Sequence, residues 1–507
     1  MKYIREIFLL STFATTIAIG QNKADKLDEY FTRLSAYGQF NGGLLVAENG
    51  KIIYHKSFGF ADFENKIPND PRTAFVLASV SKTISTTAIL QLMEKGRIRI
   101  DDPVRNYLRW FPYEKIRIRH LLSHTSGLPP YNAYFDQLRK NHPDTVFTNA
   151  DFKNGVLANP KPLLYEPGQN GNYDNINFIV LALLIEKISG MKYPDYIQKF
   201  ILDPAGMKHT RFVPYKEQYN DKSSIVHARP YLFPHVYADS MVRATRVPFI
   251  VKYWSTYNFS GFGEYISTAE DLLAYDQAYV KGKLLKSQTM QHAYVPVKLN
   301  NGQPNPANFG WGWEISRDSS YGRIVYHNGN ATGQNCTLIR NISRKQTVII
   351  YDNIHASNAQ SLGFLALKIL NSGNVPAPKI NGAKLLAQVL LDRGEATALD
   401  TLRRIKADSI HYFLDENELN LIGYDLLGGP NNPNPYHFPE ENRLQEALVI
   451  FRINKELFPD SWNAYDSYGE ALLKAGRKQE AYDMYKRSVE LNPANEGGIK
   501  AMKSISL

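Results

Sequence analysis

The chain has 507 residues, 43% hydrophobic and 12% aromatic, which is too long and too apolar for a disordered segment and enough to bury cores in more than one domain. Its single cysteine, Cys336, excludes an intramolecular disulfide framework. The formal charge of +10 is spread over short interrupted runs such as "EKIRIRH" and "LRKNH", which read as solvated faces and not as a nucleic-acid stripe.

The chain starts with "MKYIREIFLLSTFATTIAIGQNKAD": a short basic stretch, an apolar run from Ile7 to Ile19, then small residues before Gln21. Residues 1–20 are read as a cleaved export signal. The alternative, a retained anchor, is opposed by an apolar run that is short for a bilayer and rich in Ser and Thr. No cysteine lies there for lipid attachment, and removing Lys2, Arg5 and Glu6 lowers the charge by one, from +10 to +9. A large exported protein without disulfides predicts a bacterial periplasmic or secreted location, with no transmembrane segment in the mature chain.

From residue 21 to residue 372 short β-rich segments ("GGLLVAEN", "KIIYHKSFGF", "RIVYHNG", "TVIIYDN") alternate with amphipathic helical ones, which predicts one large mixed α and β domain. In "LASVSKTISTTAILQLMEKG", Val80, Ile84, Ala88 and Leu92 form an apolar stripe that Ile89, Leu90 and Met93 widen and Gly96 stops. Ser79 thus sits in the first turn of a buried helix, where unpaired N–H groups favour developing negative charge. Lys82, three residues on, shares its face; a desolvated lysine gives up its proton more easily and can serve serine as a base. A plain helix cap at Ser79 and a surface charge at Lys82 remain the alternative on these two residues alone. A second Ser-x-x-Lys, Ser189 to Lys192, lies where a helix ends at Gly190.

Tyr-Asp-Asn occurs twice. Tyr351 to Asn353 closes the apolar run "TVIIY" and reads as core, whereas Tyr173 to Asn175 follows "EPGQNG" and precedes a helical run, a loop position that can project side chains into a cleft. His120 and His124 in "RHLLSH" stand at i and i+4 like zinc ligands, yet no third ligand has a helpful spacing, so the chemistry is expected to need no metal or other cofactor.

Around "SGNVPAPK" neither helix nor sheet is favoured, and residues 373–379 are read as a linker. Beyond it, residues 380–507 show helical periodicity only ("GAKLLAQVLLDRG", "ATALDTLRRIKAD", "ENRLQEALVIFRINKELFP"). Ala447, Phe451 and Pro459 recur 34 residues later as Ala481, Tyr485 and Pro493, with Tyr465 and Gly469 in the preceding helix. This resembles the tetratricopeptide repeat, with "ELNLIGYDLL" as the partner helix of the first copy and "GGPNNPNPYHFPEEN" as an insertion. Such a tail is expected either to pack as structure or to offer a protein partner a surface.

Taken together, "FVLASVSKTISTTAILQLMEKGRIRIDDPV", "IRIRHLLSHTSGLP", "YDNINFIVLALLIEKISG", "HNGNATGQN", "SGFGEYISTAEDLLAYDQA" and "FGWGW" resemble the serine β-lactamase and penicillin-binding family, closest to its class C-like D-peptidases and esterases. The resemblance spans about residues 30 to 370. It implies an α/β (α+β) fold of β-lactamase/transpeptidase type, an antiparallel sheet flanked by helices with an all-α subdomain. It implies Ser79 as nucleophile, Lys82 as base and Tyr173 as a proton carrier whose pKa Lys82 lowers, with Asn175 orienting the substrate and Lys82. His327 and Gly329 would line the strand beside the site, and the N–H of Asn330 would join that of Ser79 as an oxyanion hole. Two residues depart from the pattern: His327 replaces a lysine, making a fixed charge pH-dependent, and Asp174 replaces a serine. The resulting expectation is an exported serine hydrolase acting through an acyl-enzyme on an ester, amide or D-peptide. The alternative is a silent peptidoglycan- or peptide-binding scaffold on the same fold. The segments 131–147 and "ARPYLFPHVYADS" are expected to wall the pocket.

Overall fold

The computed structural model describes residues 23–222, 227–355, 358–373, 375–429, 431–432, 438 and 443–505. The export signal expected at residues 1–20 and most of the insertion at 428–442 lie outside the described residues. Among the described residues no helix is long and apolar enough to cross a membrane. The chain forms two compact units. One runs to Leu232 and resumes over Arg243–Pro376; the other joins Phe233–Val242 to the chain from Ala377.

The first unit is built on six strands: β1 (Gly42–Glu48), β2 (Lys51–Phe58), β3 (Glu314–Ile315), β4 (Ile324–Ala331), β5 (Gln334–Asn341) and β6 (Gln346–Asp352). They lie in the order β3-β4-β5-β6-β1-β2, every pair antiparallel. β5 and β6 are buried along their whole length, so their apolar side chains must find cover on both faces. On one face Val46, Ile339, Val348 and Ile350 meet Leu27 and Phe31 from the helix at 23–36 and Leu367 from α4 (Ala359–Ser372). On the other, α3 (Ala269–Val280) packs on β1 and β6.

Two further helices position the site. α1 (Ser81–Glu94) is buried from Ser81 to Leu92, as a central helix can be when Lys82 is the one charged residue in that stretch. α2 (Ile176–Ser189), "INFIVLALLIEKIS", packs against it and stops at Gly190, whose φ of 74° a side chain would resist. Mixed α and β with an antiparallel sheet flanked by helices is the expected fold class.

The second unit is helical: α5 (Gly382–Ala407), α6 (Glu416–Leu427), α7 (Leu444–Leu457), α8 (Trp462–Lys474), α9 (Lys478–Leu491) and α10 (Glu496–Ser504). Gly394 breaks α5 with non-helical angles, dividing the two periodic stretches read in the sequence. Its core joins Leu386, Leu419, Ile422, Phe451, Leu472 and Tyr485. A Cβ on Gly423 would stand 2.5 Å from the Phe451 ring and one on Gly469 3.3 Å from Tyr485. Each glycine therefore makes room for the aromatic of the following helix, α7 or α9, and those aromatics are the pair 34 residues apart. Phe233–Val242, which takes in residues 233–240 of the expected pocket wall "ARPYLFPHVYADS", groups with these helices: Tyr237 joins their core, and Asp425 accepts the Val236 N–H at 2.6 Å.

Candidate active site

Ser79 lies in a single 3-10 turn, Ala78–Val80, that runs straight into α1. The turn is reached through Ala78 at φ 44°, a left-handed conformation that costs a non-glycine residue free energy. Three residues after Ser79, Lys82 is fully buried, with Nζ 2.9 Å from Ser79 Oγ, 2.8 Å from Asn175 Oδ1 and 3.3 Å from the Phe262 carbonyl. The second Ser-x-x-Lys is not of this kind, because Ser189 ends α2 and Lys192 lies beyond its cap.

Burial pulls the Lys82 pKa down to about 7, against the opposing pull of Glu264 and Asp174. Near neutral pH much of this amine is therefore unprotonated and in contact with a serine hydroxyl. Glu264 went unread in the sequence. It is fully buried, its carboxylate caged by the N–H groups of Gly261 at 2.6 Å, Phe262 at 3.0 Å and Gly263 at 2.7 Å. The same loop supplies the carbonyl that Lys82 donates to, so Glu264 holds the loop that holds the lysine.

The Tyr-Asp-Asn at 173–175 opens α2 and meets this pair. Tyr173 is 40% exposed, its hydroxyl is hydrogen-bonded with Ser79, and Lys82 Nζ lies 4.9 Å from the ring centre. Burial raises the Tyr173 pKa, partly offset by Ser79, while Glu314 and Asp174 raise it further. The expectation of a lowered pKa is corrected: burial dominates, and the one opposing influence is the hydrogen bond with Ser79. Burial also raises Asp174, whose Oδ1 accepts the Ile176 N–H at 2.8 Å at the start of α2.

His124 explains how this loop is held. It is fully buried at φ 57°; its carbonyl accepts the Asn172 N–H at 2.9 Å, its Nδ1 the Asp174 N–H at 3.2 Å, and its ring lies 4.4 Å from that of Tyr173. His120 turns elsewhere, its Nδ1 accepting the Arg117 N–H. The i, i+4 histidines thus serve different partners. Of the expected wall at 131–147, Tyr131 lies against Phe262, 6.2 Å between ring centres.

The third side is β4. β4 and β5 join through Thr332–Gly333, with Gly333 at φ 77°, and the register pairs Ala331 with Gln334 and Gly329 with Cys336. In a two-residue hairpin the flanking residues exchange hydrogen bonds, and pairs alternate from there. The N–H of Asn330 therefore points away from β5, and β3 covers β4 only at Val325 and Tyr326, which leaves that edge open. Gly329 faces the turn that carries Ser79: a Cβ there would stand 2.1 Å from the Leu77 carbonyl oxygen and 3.1 Å from Ser79 N. His327 is fully buried, its Nδ1 2.8 Å from the Asn328 carbonyl, and burial followed by Lys82 pulls its pKa down to about 3. The expected pH-dependent charge is thus corrected to a neutral imidazole.

Ser79, Lys82, Tyr173, Asn175, His327, Gly329 and Asn330 are thus brought around one point, on a sheet-and-helix frame of serine-hydrolase type. A family model described as Beta-lactamase matches residues 27–363, and the chain belongs to that family. It is 34% identical over 342 residues to Penicillin-binding protein 4* of Bacillus subtilis (strain 168), covering 66% of this chain and 72% of that protein. It is 36% identical over 197 residues to the teichoic acid D-alanine hydrolase of Staphylococcus aureus, covering 39% of this chain and 45% of that protein. The solved structure of a penicillin binding protein from Bacillus halodurans shares the fold, with a TM-score of 0.55 at 24% identity over 67% of this chain and 99% of that one.

Proposed function

We propose that the chain is an exported serine acyl hydrolase that works through an acyl-enzyme on an ester, amide or D-peptide bond. The observation that carries the reading is the 2.9 Å contact between Ser79 Oγ and a buried lysine whose pKa is about 7. Neutral Lys82 takes the proton of Ser79 as Oγ attacks the carbonyl carbon, and the oxyanion is met by the N–H groups of Ser79 and Asn330. Tyr173, kept protonated by burial, gives its proton to the leaving oxygen or nitrogen and is reprotonated from Lys82. Water then follows the same route in reverse, and the acid leaves. Asn175 fixes the Lys82 amine throughout.

A neutral His327 gives a substrate carboxylate no cation, which favours ester and D-alanyl substrates over those recognised by a terminal carboxylate. The teichoic acid D-alanine hydrolase relative agrees with that order. The helical unit is read as tetratricopeptide-like, with the two glycine–aromatic pairs in support, and as a surface for a protein partner.

The test is intact-protein mass spectrometry after exposure to an activated ester, a D-alanyl ester, a D-Ala-D-Ala peptide and a penicillin. An acyl adduct in the parent and none in Ser79→Ala is expected, with the esters turning over fastest. A folded protein that none of the reagents labels overturns the reading.

A further inference from the structure

Behind the edge strand of the site lies a cavity of about 210 Å³ that shares Gly329 and Asn330 with it. Its position follows from strand alternation. Gly329 faces Ser79, so its neighbours Asn328 and Asn330 project to the opposite face of β4, where the register sets them beside Thr337 and Asn335 of β5. Those four residues form the floor. The first turn of α4, with Asn358 and Gln360, forms the wall, and His355 closes one end.

The lining is polar without being charged. Among its described residues every polar side chain is an amide, a hydroxyl or an imidazole, and burial lowers the His355 pKa. Two buried polar atoms there have no hydrogen-bond partner, Thr337 Oγ1 on a fully buried residue and His355 Nδ1. A native protein rarely leaves such atoms unmet unless something else comes to meet them. The start of α4 does not supply an anion site, because Asn358 Oδ1 already takes the N–H groups of Gln360 and Ser361, at 2.9 and 3.4 Å. A carboxylate drawn in here would be desolvated without a counter-charge, which is costly; a hydroxyl both donates and accepts, as amides and Thr337 require.

We propose that this cavity is a substrate subsite for an uncharged, hydroxyl-bearing group, of polyol or sugar type, which rests on the serine-hydrolase reading above. A carbonyl seated between the N–H groups of Ser79 and Asn330 lies at the open edge of β4, and the rest of the substrate reaches the cavity by passing that edge.

Steady-state kinetics on five esters test it: ethyl butyrate as reference, glyceryl butyrate and ethyl gluconate with hydroxyls on the leaving and acyl sides, and the lactate and choline esters of butyrate as anionic and cationic controls. A hydroxylated ester is expected to have the highest kcat/KM. Thr337→Val, which keeps shape and removes the hydroxyl, raises its KM about fivefold at unchanged kcat, the loss of one neutral hydrogen bond, and leaves ethyl butyrate unaffected. Gln360→Arg, in the first turn of α4, raises kcat/KM for the lactate ester about tenfold. Preference of the parent for the lactate ester, or a Thr337→Val protein with unchanged KM on both hydroxylated esters, overturns the subsite. Turnover that persists in Ser79→Ala would instead overturn the hydrolase reading, so the two failures are distinguishable.

Discussion

The two units spend their interiors differently. The first buries chemistry: Lys82, His124, Glu264 and His327 are all fully enclosed, and ring nitrogens of both histidines lack partners. The second buries shape: Leu386, Ala387, Leu419, Ala447, Phe451 and Ala471 fill its core, and glycines are placed where aromatics need room. Buried ionisable groups cost stability and create reactivity, whereas apolar interdigitation does the reverse. Substitutions in the first unit's site should therefore remove function at little cost in stability, or with a gain. Those in the second should cost stability alone.

The largest effect expected is at Ser79, the proposed nucleophile. Ser79→Ala should lower kcat/KM by at least about a thousandfold, as loss of a nucleophile does, while the thermal midpoint stays in place. Coincident loss of fold would break the contrast.

Lys82 sharpens it. Its pKa falls from the ordinary 10.5 to about 7 on folding, so between those values the unfolded chain holds more protons than the folded one. Stability contributed by this group therefore rises with pH from about 7 to 10.5. Lys82→Met should abolish turnover, raise the melting temperature at pH 7 and flatten that slope. In the parent, kcat/KM should climb through pH about 7 and then level. His327, at about 3, adds no step in that range. A profile flat from pH 5 to 9 would contradict the assignment of Lys82 as base.

In the helical unit, Gly469→Leu would drive a side chain into the Tyr485 ring, already 3.3 Å from the position of a Cβ. Overpacking of this kind costs about 1–3 kcal/mol, measurable by urea unfolding of the full chain. Gly469→Ala should cost less, and a leucine tolerated without loss would mean that the helix pair can part.

How much of this was legible beforehand depended on reach along the chain. Ser79 and Lys82 lie within one helical turn, and the apolar stripe behind them is local, so spacing put their contact within reach and the neighbouring motifs chose it over a cap and a surface charge. The central strands were equally readable, since "TVIIYD" can hardly be anything but buried. Tyr173 and Asn175 could be told from Tyr351 and Asn353 by a loop context against an apolar run, and the family pattern then gave them roles. What escaped was long-range. Glu264 lies 182 residues from Lys82, and nothing local marks the three N–H groups that cage it. His124 read as a rejected metal ligand because its partner, the Asp174 amide, is 50 residues away. The direction of the Tyr173 shift was misjudged for a related reason: a charge is visible in sequence, enclosure is not.

The smallest expected effect concerns the segment that the helical unit takes from the middle of the other unit's sequence. Asp425, only 2% exposed on α6, accepts the Val236 N–H at 2.6 Å and lies 3.1 Å from His235 Nδ1, while Gln388 on α5 donates to the Tyr237 carbonyl at 3.0 Å. Helices meeting a peptide this way satisfy its backbone as a neighbouring strand would, and bury Tyr237 in their core. Asp425→Ala should strand the Val236 N–H and cost about 1 kcal/mol, whereas Asp425→Asn keeps an acceptor and should restore most of it. Hydrogen exchange at the Val236 amide reads the difference directly: protection lost in the alanine variant and kept in the asparagine variant identifies backbone capture as the reason the carboxylate is buried. Protection lost equally in both would place the weight on the charge facing His235, and the helical unit would then share the first unit's habit of burying ions for a purpose.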